Sequence, residues 1–506
     1  MKRRNFFKLA GFGAASLVAG SVLTSCDTDS VGKSTNQESD GPNISAGMPV
    51  NFSFETDVLI IGSGIAGLAA AMDPSEAGLG VIVADKQSVI GGESFLANGL
   101  IYAVNTVVQK DARLTVDEEE SWEDFVSFLE SHNYSKGLSL DFEKRLYKAG
   151  SDWVNRLIND YGASFIDPSE YHKLGSPQTF LVPKGGLGQM KSVMSPLRDH
   201  LVNQGVEFHL NMRAVSFILD ESFTPMGVRF SLDQTNEAVD IKAKHLVIAT
   251  GGFSCNQDWV DKYLPSLAPI ASYTVYSSGE GHYLCQSLKG QLHNMELAPA
   301  PISDVPPVEA WGQFGPMVNV SPRGARFAAE DDIGASALAC LKNEQGFWWT
   351  IFDNQISDNG RSQSVSYVSS NFAKRLQGPF DTLADLAAAI SIDPDKLKDT
   401  FETYDALVDL KKDTDFHKML FLEKLSPPYY AIKQFPRRFR TFGGVLTDDD
   451  ARIIDGLGNA IPNVYCCGEC ASGSLGGISS HGGYGMIAGQ AIVASLGELA
   501  ESTESV

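Results

Sequence analysis

The sequence predicts an α/β protein, in which a Rossmann-like nucleotide-binding domain is interrupted by an inserted α+β domain. An apolar strand at 58–61 runs into a glycine-rich turn and a helix. Two later strands, within 246–253 and 461–473, also end in glycine turns, as strands that contact a nucleotide must. Between these last two, from about residue 293 to 440, the composition shifts to proline-rich and serine-rich stretches, which indicates a separate region.

The composition is that of a globular protein large enough for two or three domains. The chain has 506 residues, of which 43% are hydrophobic and 20% charged, so disorder along its whole length is excluded. The formal net charge of −22 repels phosphate backbones, which argues against nucleic acid as a partner.

The first 26 residues are predicted to be a targeting segment and not part of the fold. A basic start precedes an apolar run of 15 residues, which is shorter than the roughly 20 residues that a membrane-spanning helix needs. The start, "MKRRNFFK", resembles a twin-arginine signal, and "LTSC" resembles a lipoprotein box that would place a lipid on Cys26. We therefore expect export to the periplasm or cell envelope, with an uncleaved anchor as the alternative. Residues 27–50, rich in Ser, Asn, Gly and Asp, are predicted to be a flexible linker.

A dinucleotide-binding motif opens the first domain. The strand leads into Gly62, Gly64 and Gly67, a helix follows, and a second strand ends at Asp85, 21 residues after Gly64. The glycines allow a tight turn and a close approach of a pyrophosphate to the helix N-terminus, and the acid can accept a ribose hydroxyl. Pro74 lies within the predicted helix and should kink it or end it early, because proline lacks a backbone N–H.

Eight further stretches carry a resemblance to one enzyme family. They are "GGESFLANGLIYAVNT" (91–106), "KGGLG" (184–188), "LVIATGGF" (246–253), "SSGEGHYLC" (277–285), "RGARFAAED" (323–331), "PPYYAI" (427–432), "TFGGVLTD" (441–448) and "IPNVYCCGECASG" (461–473). In this order they resemble the flavoprotein subunit family of fumarate reductase and succinate dehydrogenase, in its soluble periplasmic, flavocytochrome c-like branch. No Cys-x-x-Cys-His motif occurs, so covalent haem is not expected on this chain.

The resemblance implies FAD as the cofactor. The last predicted helix, from about Met486, would direct its positive end at the pyrimidine side of the flavin and stabilise the anion that forms on reduction. The residues predicted to contact FAD, from the motif and from the resemblance, are Gly62, Gly64, Gly67, Asp85, Lys86, Gly92, Ser94, Ala97, Gly99, Gly251, Gly252, Glu469 and Ile487.

The resemblance also implies the division of the chain. The FAD-binding domain would comprise residues 51–292 and 441–506, and an inserted capping domain at 293–440 would close over the flavin and hold the substrate. Within the insertion, the sequence predicts a helix at 394–411.

The substrate clamp of the family is altered in this sequence. The family's fumarate reductases hold a dicarboxylate with histidines and arginines, and one arginine donates the proton. At the corresponding places this chain has "APA" at 298–300, Gly334, Arg440 and Ser480, which predicts a substrate other than fumarate. We expect an FAD-dependent oxidoreductase that transfers hydride from flavin N5 to a C=C bond conjugated to a carbonyl or carboxylate.

Three residues are candidates for contact with that substrate. Arg440 lies where the family positions a substrate ligand, and a guanidinium can bind a carboxylate through two hydrogen bonds. His481 and Tyr484 lie in "SSHGGYG", which we expect to be a loop before the last helix, and either ring could donate a proton there. Several nearby residues are instead expected to be structural: Glu330, Arg437, Arg438, Tyr429 and Tyr430.

Two other functions stay open at the level of sequence. The related 3-oxosteroid dehydrogenases share the FAD domain and use tyrosines with backbone donors on a ketone, and "GGYG" is compatible with that arrangement. A non-catalytic flavin electron carrier is the second alternative.

The expected partners are a small unsaturated substrate and an external electron donor, either a cytochrome or a membrane redox protein. No metal site is predicted. Cys467 and Cys470 offer a Cys-x-x-Cys spacing, but small buried residues after a strand are favoured over a redox pair.

Overall fold

A computed structural model describes residues 49–504 with the exception of short segments. The exceptions are 98, 132–133, 135–136, 169–179, 187, 233–234, 236, 306–307, 309–311, 313–314, 333 and 359–371. The predicted signal and nearly all of the predicted linker lie outside the described residues.

The strands are numbered in chain order. They are β1 (Phe52–Ile61), β2 (Val81–Asp85), β3 (Ile101–Tyr102), β4 (Phe180–Leu181), β5 (Glu207–Leu210), β6 (Met212–Leu219), β7 (Pro225–Leu232), β8 (Ala238–Ile248), β9 (Leu292–His293), β10 (Ile302–Ser303), β11 (Met317–Val320), β12 (Trp348–Phe352), β13 (Leu376–Phe380), β14 (Tyr429–Gln434), β15 (Pro436–Arg437), β16 (Gly444–Val445), β17 (Arg452–Ile454) and β18 (Ala460–Cys466).

The helices follow the same convention. They are α1 (Ile65–Glu76), α2 (Val107–Asp111), α3 (Glu118–Ser131), α4 (Leu140–Asn159), α5 (Met190–Asn203), α6 (Gln257–Tyr263), α7 (Glu280–Ser287), α8 (Ala335–Lys342), α9 (Asn354–Asp358), α10 (Leu383–Ala389), α11 (Pro394–Asp409) and α12 (Ile478–Glu504), with short 3-10 helices at Gly92–Leu96 and Gly468–Cys470.

The main sheet of the described chain has eight strands and confirms the predicted Rossmann-like α/β fold. Its order is β17-β18-β8-β1-β2-β5, with β7 paired to β8 and β6 paired to β7. Central β1 runs parallel to β2 and β8, and Ile61 lies opposite Ala84 and Ile248. All five residues of β2 are buried, as expected for a parallel strand that is covered on both faces. The carboxyl ends of these three strands therefore meet at one edge, where such sheets bind nucleotides.

Three helices cross closely beside this edge. We expected "SSHGGYG" to be a loop, and this expectation was wrong, because α12 begins at Ile478 and includes the glycines. A methyl group on Gly483 would lie 2.5 Å from a backbone nitrogen of α4, and one on Gly485 would lie 2.1 Å from a carbonyl oxygen of α1. The glycines therefore allow backbone-to-backbone helix packing.

Helix α1 ends at Glu76, two residues after Pro74, in agreement with the early end expected.

A second sheet lies between β9 and β16 in the chain. It is antiparallel, with four strands in the order β11-β12-β14-β13. Helix α11 packs on it, since Leu397 shares a buried cluster with Ile351 of β12. This helix begins after Asp393, whose carboxylate accepts the N–H of Asp395 over 2.9 Å, and it corresponds to the helix predicted at 394–411.

Two short antiparallel pairs lie where the chain leaves the main sheet and returns to it. Strand β9 pairs with β16, and β10 pairs with β15. Among the helices described, none combines the length and apolarity that crossing a membrane requires.

Candidate active site

A cleft opens at the glycine turn between β1 and α1. Gly62 has a φ of +107°, and its N–H donates to the carbonyl of Ala84 over 2.8 Å. A methyl group on Gly67 would lie 1.9 Å from the Gly62 carbonyl oxygen, so a side chain at this position would push α1 away from the turn. Gly64 precedes α1 without a side-chain capping bond, and a helix N-terminus of this kind suits a phosphate.

Asp85 fixes this turn from the end of β2. Its carboxylate accepts the N–H of Ser63 over 2.7 Å, the hydroxyl of Ser63 over 2.6 Å and the N–H of Gln87 over 2.8 Å. The side chain still lines the cleft. A carboxylate has about four acceptor sites, so the predicted ribose contact is compatible with these bonds and stays a prediction.

The 3-10 helix Gly92–Leu96 forms a second wall. Ser94 Oγ accepts the N–H of Ile65 over 2.9 Å, which ties this wall to the first turn of α1. Glu93, which the sequence did not single out, accepts the N–H groups of Val275 and Tyr276 over 2.9 and 2.7 Å. Its carboxylate thereby holds a distant segment of the chain at the cleft.

Lys86 lies in a charged group at the same cleft. Its Nζ donates to the Tyr276 carbonyl and the Ser278 hydroxyl, both over 2.8 Å, and it pairs with Glu280. Glu280 also pairs with Arg213. The sequence pointed to Lys86 alone, because Arg213 and Glu280 are distant from it in the chain. Glu280 lies in the stretch "SSGEGHYLC", but nothing in that stretch marks it as a partner of Lys86.

The second glycine turn, after β8, brings a buried carboxylate to the cleft. Gly251 has a φ of +78°, and a methyl group on Gly252 would lie 2.2 Å from Glu469 Oε1. Glu469 accepts the N–H of Thr441 over 3.0 Å. Burial raises the pKa of Glu469 to about 7, and the nearby cation of Arg440 opposes this rise.

The cleft as a whole has the walls that a dinucleotide cofactor needs. Both glycine turns, the 3-10 helix Gly92–Leu96 and the end of β2 contribute residues to its lining. Nine residues that the sequence singled out line it: Gly62, Gly64, Asp85, Lys86, Gly92, Ser94, Gly251, Glu469 and His481. The other predicted FAD contacts do not line it: Gly67, Ala97, Gly99, Gly252 and Ile487.

Arg440 lies beside two of the lining residues, Glu469 and His481, with which it interacts electrostatically. Its Nη2 donates to the carbonyl of Ser474 over 3.1 Å, and its guanidinium carbon is 5.3 Å from the ring centre of Phe442. Its Nε is buried and has no hydrogen-bond partner among the residues that the structure describes. Burial lowers the pKa of Arg440, but a guanidinium stays cationic at neutral pH.

His481 lies in the first turns of α12 and faces the cleft. Its Nδ1 is 2.8 Å from Ser474 Oγ. Burial, followed by the cation of Arg440, holds the pKa of His481 well below its usual range, so the imidazole is neutral at pH 7.

Tyr484 lies elsewhere, in the core of the FAD-binding region. Its side chain is fully buried, its hydroxyl forms a hydrogen bond with Thr447, and its ring meets Phe142 edge-on at 5.4 Å. Burial raises the pKa of Tyr484 well above its usual range. These contacts place the phenol in packing rather than in the cleft and do not support the proton-donor prediction.

The other three positions at which the family's substrate clamp is altered are within the described part of the chain. Ala300 donates its N–H to the hydroxyl of Tyr134 over 2.8 Å, and a methyl group on Gly334 would lie 3.2 Å from Ala300 Cβ. Ser480 is 3% exposed. Uncharged residues therefore occupy these places.

Several residues that we expected to be structural make structural contacts. Glu330 is buried, 2.8 Å from Arg326 and 3.4 Å from Lys418, and these cations help to hold its pKa below its usual value against the effect of burial. Arg438 is buried and donates to the carbonyl of Ser254 over 2.7 Å. Three others lie on β14 and β15, where Arg437 is 3.8 Å from Asp304, Tyr430 stacks on Phe352 and Tyr429 packs near Phe401.

The cysteines after β18 are also buried. Cys466, Cys467 and Cys470 are free thiols, and Cys470 Sγ lies 3.9 Å from Nδ1 of His282. This placement agrees with the favoured interpretation of small buried residues.

Comparison with known proteins agrees with this geometry. A family model described as an FAD binding domain matches residues 57–486. The fumarate reductase (cytochrome) of Shewanella frigidimarina is 28% identical over 428 residues, which are 83% of this chain and 72% of that protein. The urocanate reductase of Eggerthella lenta is 24% identical over 442 residues, 85% of this chain and 72% of that protein.

A solved structure extends the likeness to the fold. The 3-ketosteroid-Δ4-(5α)-dehydrogenase from Rhodococcus jostii RHA1 has a TM-score of 0.67 at 21% identity, over 88% of this chain and 99% of that chain. Together, these findings confirm the predicted family resemblance, the FAD-binding fold, the cofactor FAD and the class of oxidoreductase.

Proposed function

Since the chain belongs to the FAD binding domain family, we propose that it is an FAD-dependent oxidoreductase that reduces a C=C bond conjugated to a carboxylate or carbonyl. The relatives named as reductases of fumarate and urocanate support this reaction class. Bound FAD would supply the hydride from N5 of its flavin. The cleft residues would hold the cofactor through the glycine turns, Asp85 and Ser94.

The observation that carries the proposal is the unsatisfied guanidinium edge of Arg440. One of its N–H groups is bound to the Ser474 carbonyl, while the buried Nε has no partner within the described part of the chain. A buried donor without an acceptor is costly, and a substrate carboxylate would satisfy it with a charge-assisted hydrogen bond. Arg440 would then orient the substrate and offset the negative charge that develops on its oxygens as the double bond is reduced.

His481 would assist as a neutral donor. In the tautomer in which the Ser474 hydroxyl donates to Nδ1, the imidazole proton lies on Nε2. This N–H can donate to the same developing oxyanion without adding a second full charge to the site.

Among the four altered clamp positions, only Arg440 is a cation, which favours a monocarboxylate over a dicarboxylate. Gly334 and Ser480 carry no charge, and the backbone at Ala300 is already bound to Tyr134. A second carboxylate would be desolvated there without a cationic partner, which is unfavourable. We therefore propose an enoate other than fumarate as the substrate.

An anaerobic reoxidation screen tests this function. The FAD-loaded protein is reduced chemically, mixed with acrylate, aryl acrylates, enones or fumarate, and followed by flavin absorbance. The proposal expects rapid reoxidation by a monocarboxylic enoate and little by fumarate. Bleaching of the oxidised flavin by a 3-oxosteroid would instead establish the dehydrogenase alternative. The buried position of Tyr484 removes the sequence feature that was compatible with that alternative. No response to any of these compounds would favour an electron carrier.

The cellular setting is proposed from the sequence alone. We propose that residues 1–26 direct export to the periplasm or cell envelope, that a lipid on Cys26 tethers the protein, and that an external cytochrome or membrane redox protein supplies electrons. Labelling with a radioactive fatty acid in wild-type and Cys26→Ala cells tests the tether, which is refuted if both proteins are labelled equally.

A further inference from the structure

The turn between the 3-10 helix Gly468–Cys470 and α12 contains one residue in an unusual conformation. Ser474 has a φ of +62° and is fully buried. A residue other than glycine rarely adopts this left-handed conformation, so surrounding contacts must hold it there.

Three contacts meet at Ser474, and they reach three charged or titratable side chains. Its N–H donates to Glu143 Oε1 over 3.0 Å, its carbonyl accepts from Arg440 Nη2 over 3.1 Å, and its hydroxyl lies 2.8 Å from His481 Nδ1. Arg440 and His481 are the two side chains proposed to bind the substrate. One serine therefore touches both of them through different atoms.

Glu143 anchors this turn from α4. Its other oxygen, Oε2, accepts the N–H of Leu475 over 3.2 Å, so the carboxylate holds two successive backbone donors. Glu143 is 2% exposed, and a methyl group on Gly473 would lie 2.4 Å from its Oε1. The carboxylate thus lies directly against the turn, and the turn cannot move away without breaking these two hydrogen bonds.

We propose that Ser474 is a positioning residue for Arg440 and His481, and that Glu143 holds Ser474 in its left-handed conformation. This inference rests on the proposed function of those two residues. The Ser474 carbonyl binds one N–H of Arg440 and so directs the rest of the guanidinium. The Ser474 hydroxyl holds the orientation of the His481 imidazole through its hydrogen bond with Nδ1. Preorganised donors lose little freedom when the substrate binds.

Ser474→Gly isolates the hydroxyl from the backbone contacts. Glycine accepts a positive φ, so the carbonyl bound to Arg440 and the N–H bound to Glu143 are retained while only Oγ is lost. We expect kcat for enoate reduction to fall about 10- to 100-fold, the loss typical of a mispositioned catalytic group, with KM changed less than about threefold. Glu143→Ala, which releases the backbone, should raise KM as well, because Arg440 is then no longer held.

Ser472→Gly is the matched control. Ser472 lies two residues away in the same segment, and its hydroxyl lies 3.4 Å from Nδ1 of a different histidine, His293. This variant should retain wild-type kcat and KM. Equal losses in the Ser472 and Ser474 variants would overturn the proposal, since they would reflect general damage to the segment.

A spectroscopic readout separates this proposal from the proposed function. In protein labelled with ¹⁵N-histidine, and with the His481 signal assigned from its absence in His481→Gln, Ser474→Gly should shift the Nδ1 resonance while Ser472→Gly should not. An unchanged His481 resonance in Ser474→Gly would refute the positioning role. If no enoate is reduced by the wild type, the proposed function fails, but a shifted resonance would still show that Ser474 controls His481.

Discussion

Replacing Glu143 by glutamine should remove a pH-dependent loss of stability. Burial raises the pKa of Glu143 from an ordinary 4.5 to about 7, against the opposing effect of two backbone N–H groups and Arg440. Because the folded-state pKa is the higher one, the folded protein binds more protons than the unfolded chain between these pH values. The stabilising contribution is therefore complete below about pH 4.5 and is lost as the pH rises through about 7.

The size of the effect follows from the same two pKa values. The full shift corresponds to about 3 kcal/mol at roughly 1.4 kcal/mol per unit of pKa. Between about pH 5.5 and 8, where most of the titration falls, the expected loss in the free energy of unfolding is about 2 kcal/mol. The side-chain amide of the Glu143→Gln variant does not titrate, so that protein should lack this component.

Urea denaturation followed by tryptophan fluorescence measures the difference. The FAD-loaded wild type and Glu143→Gln are compared at four values between about pH 5.5 and 8. Across this range, the free energy of unfolding of the wild type should fall by about 2 kcal/mol relative to that of the variant. A difference between the two proteins that does not change with pH would reflect the altered hydrogen bonds at residue 143. Glu469, whose pKa is also raised, is present in both proteins and cancels. Parallel pH profiles for the two proteins would refute the reasoning.

Three further substitutions test the cofactor turn, the helix crossing and the buried ion cluster. Gly67→Ala should yield protein with little bound FAD, because its methyl group would lie 1.9 Å from a carbonyl oxygen of the turn; a wild-type ratio of flavin to protein absorbance would contradict this. Gly482→Ala would place a methyl group 2.3 Å from the Trp153 ring and should lower the free energy of unfolding in urea by about 1–3 kcal/mol. Glu330→Gln should lower the free energy of unfolding by about 3–5 kcal/mol, because the buried Lys418 loses its carboxylate partner and Arg326 keeps only Asp413. An unchanged melting temperature together with lost activity would instead assign Glu330 a role in the reaction.

The parts of the fold that depend on short segments could be predicted from the sequence. The turn at Gly62 and the acid at Asp85 lie within one strand-helix-strand unit, so their spacing alone places them at one sheet edge. Glu469 was predicted to lie near the cofactor because it belongs to a short stretch, at 461–473, that resembles the family. Each of these residues now lines the cleft.

The contacts that were missed join segments far apart in the chain. Glu143 and Ser474 are separated by 331 positions, and Glu93 lies 182 positions from Val275, whose N–H it accepts. No local pattern marks such pairs, because a buried glutamate in a helix looks like any exposed one in sequence.

The glycine stretch was misjudged for a different physical reason. Glycine disfavours a helix by about 1 kcal/mol per residue relative to alanine, so local propensity predicted a loop. Close packing against α1 and α4 decided otherwise, since these backbones leave no space for a Cβ atom at Gly483 or Gly485. The same helix buries Tyr484, which a loop would have exposed.

The central claim is that Arg440 binds the carboxylate of an enoate as FAD reduces its double bond. The most direct measurement compares flavin reoxidation rates for an enoate acid and its methyl ester, in the wild type and in Arg440→Gln. A charge-assisted contact is worth about 1.5–3 kcal/mol, so the wild type should prefer the acid by roughly 10- to 100-fold. The variant should lose this preference while still binding FAD. An equal preference for the acid in both proteins would contradict the account.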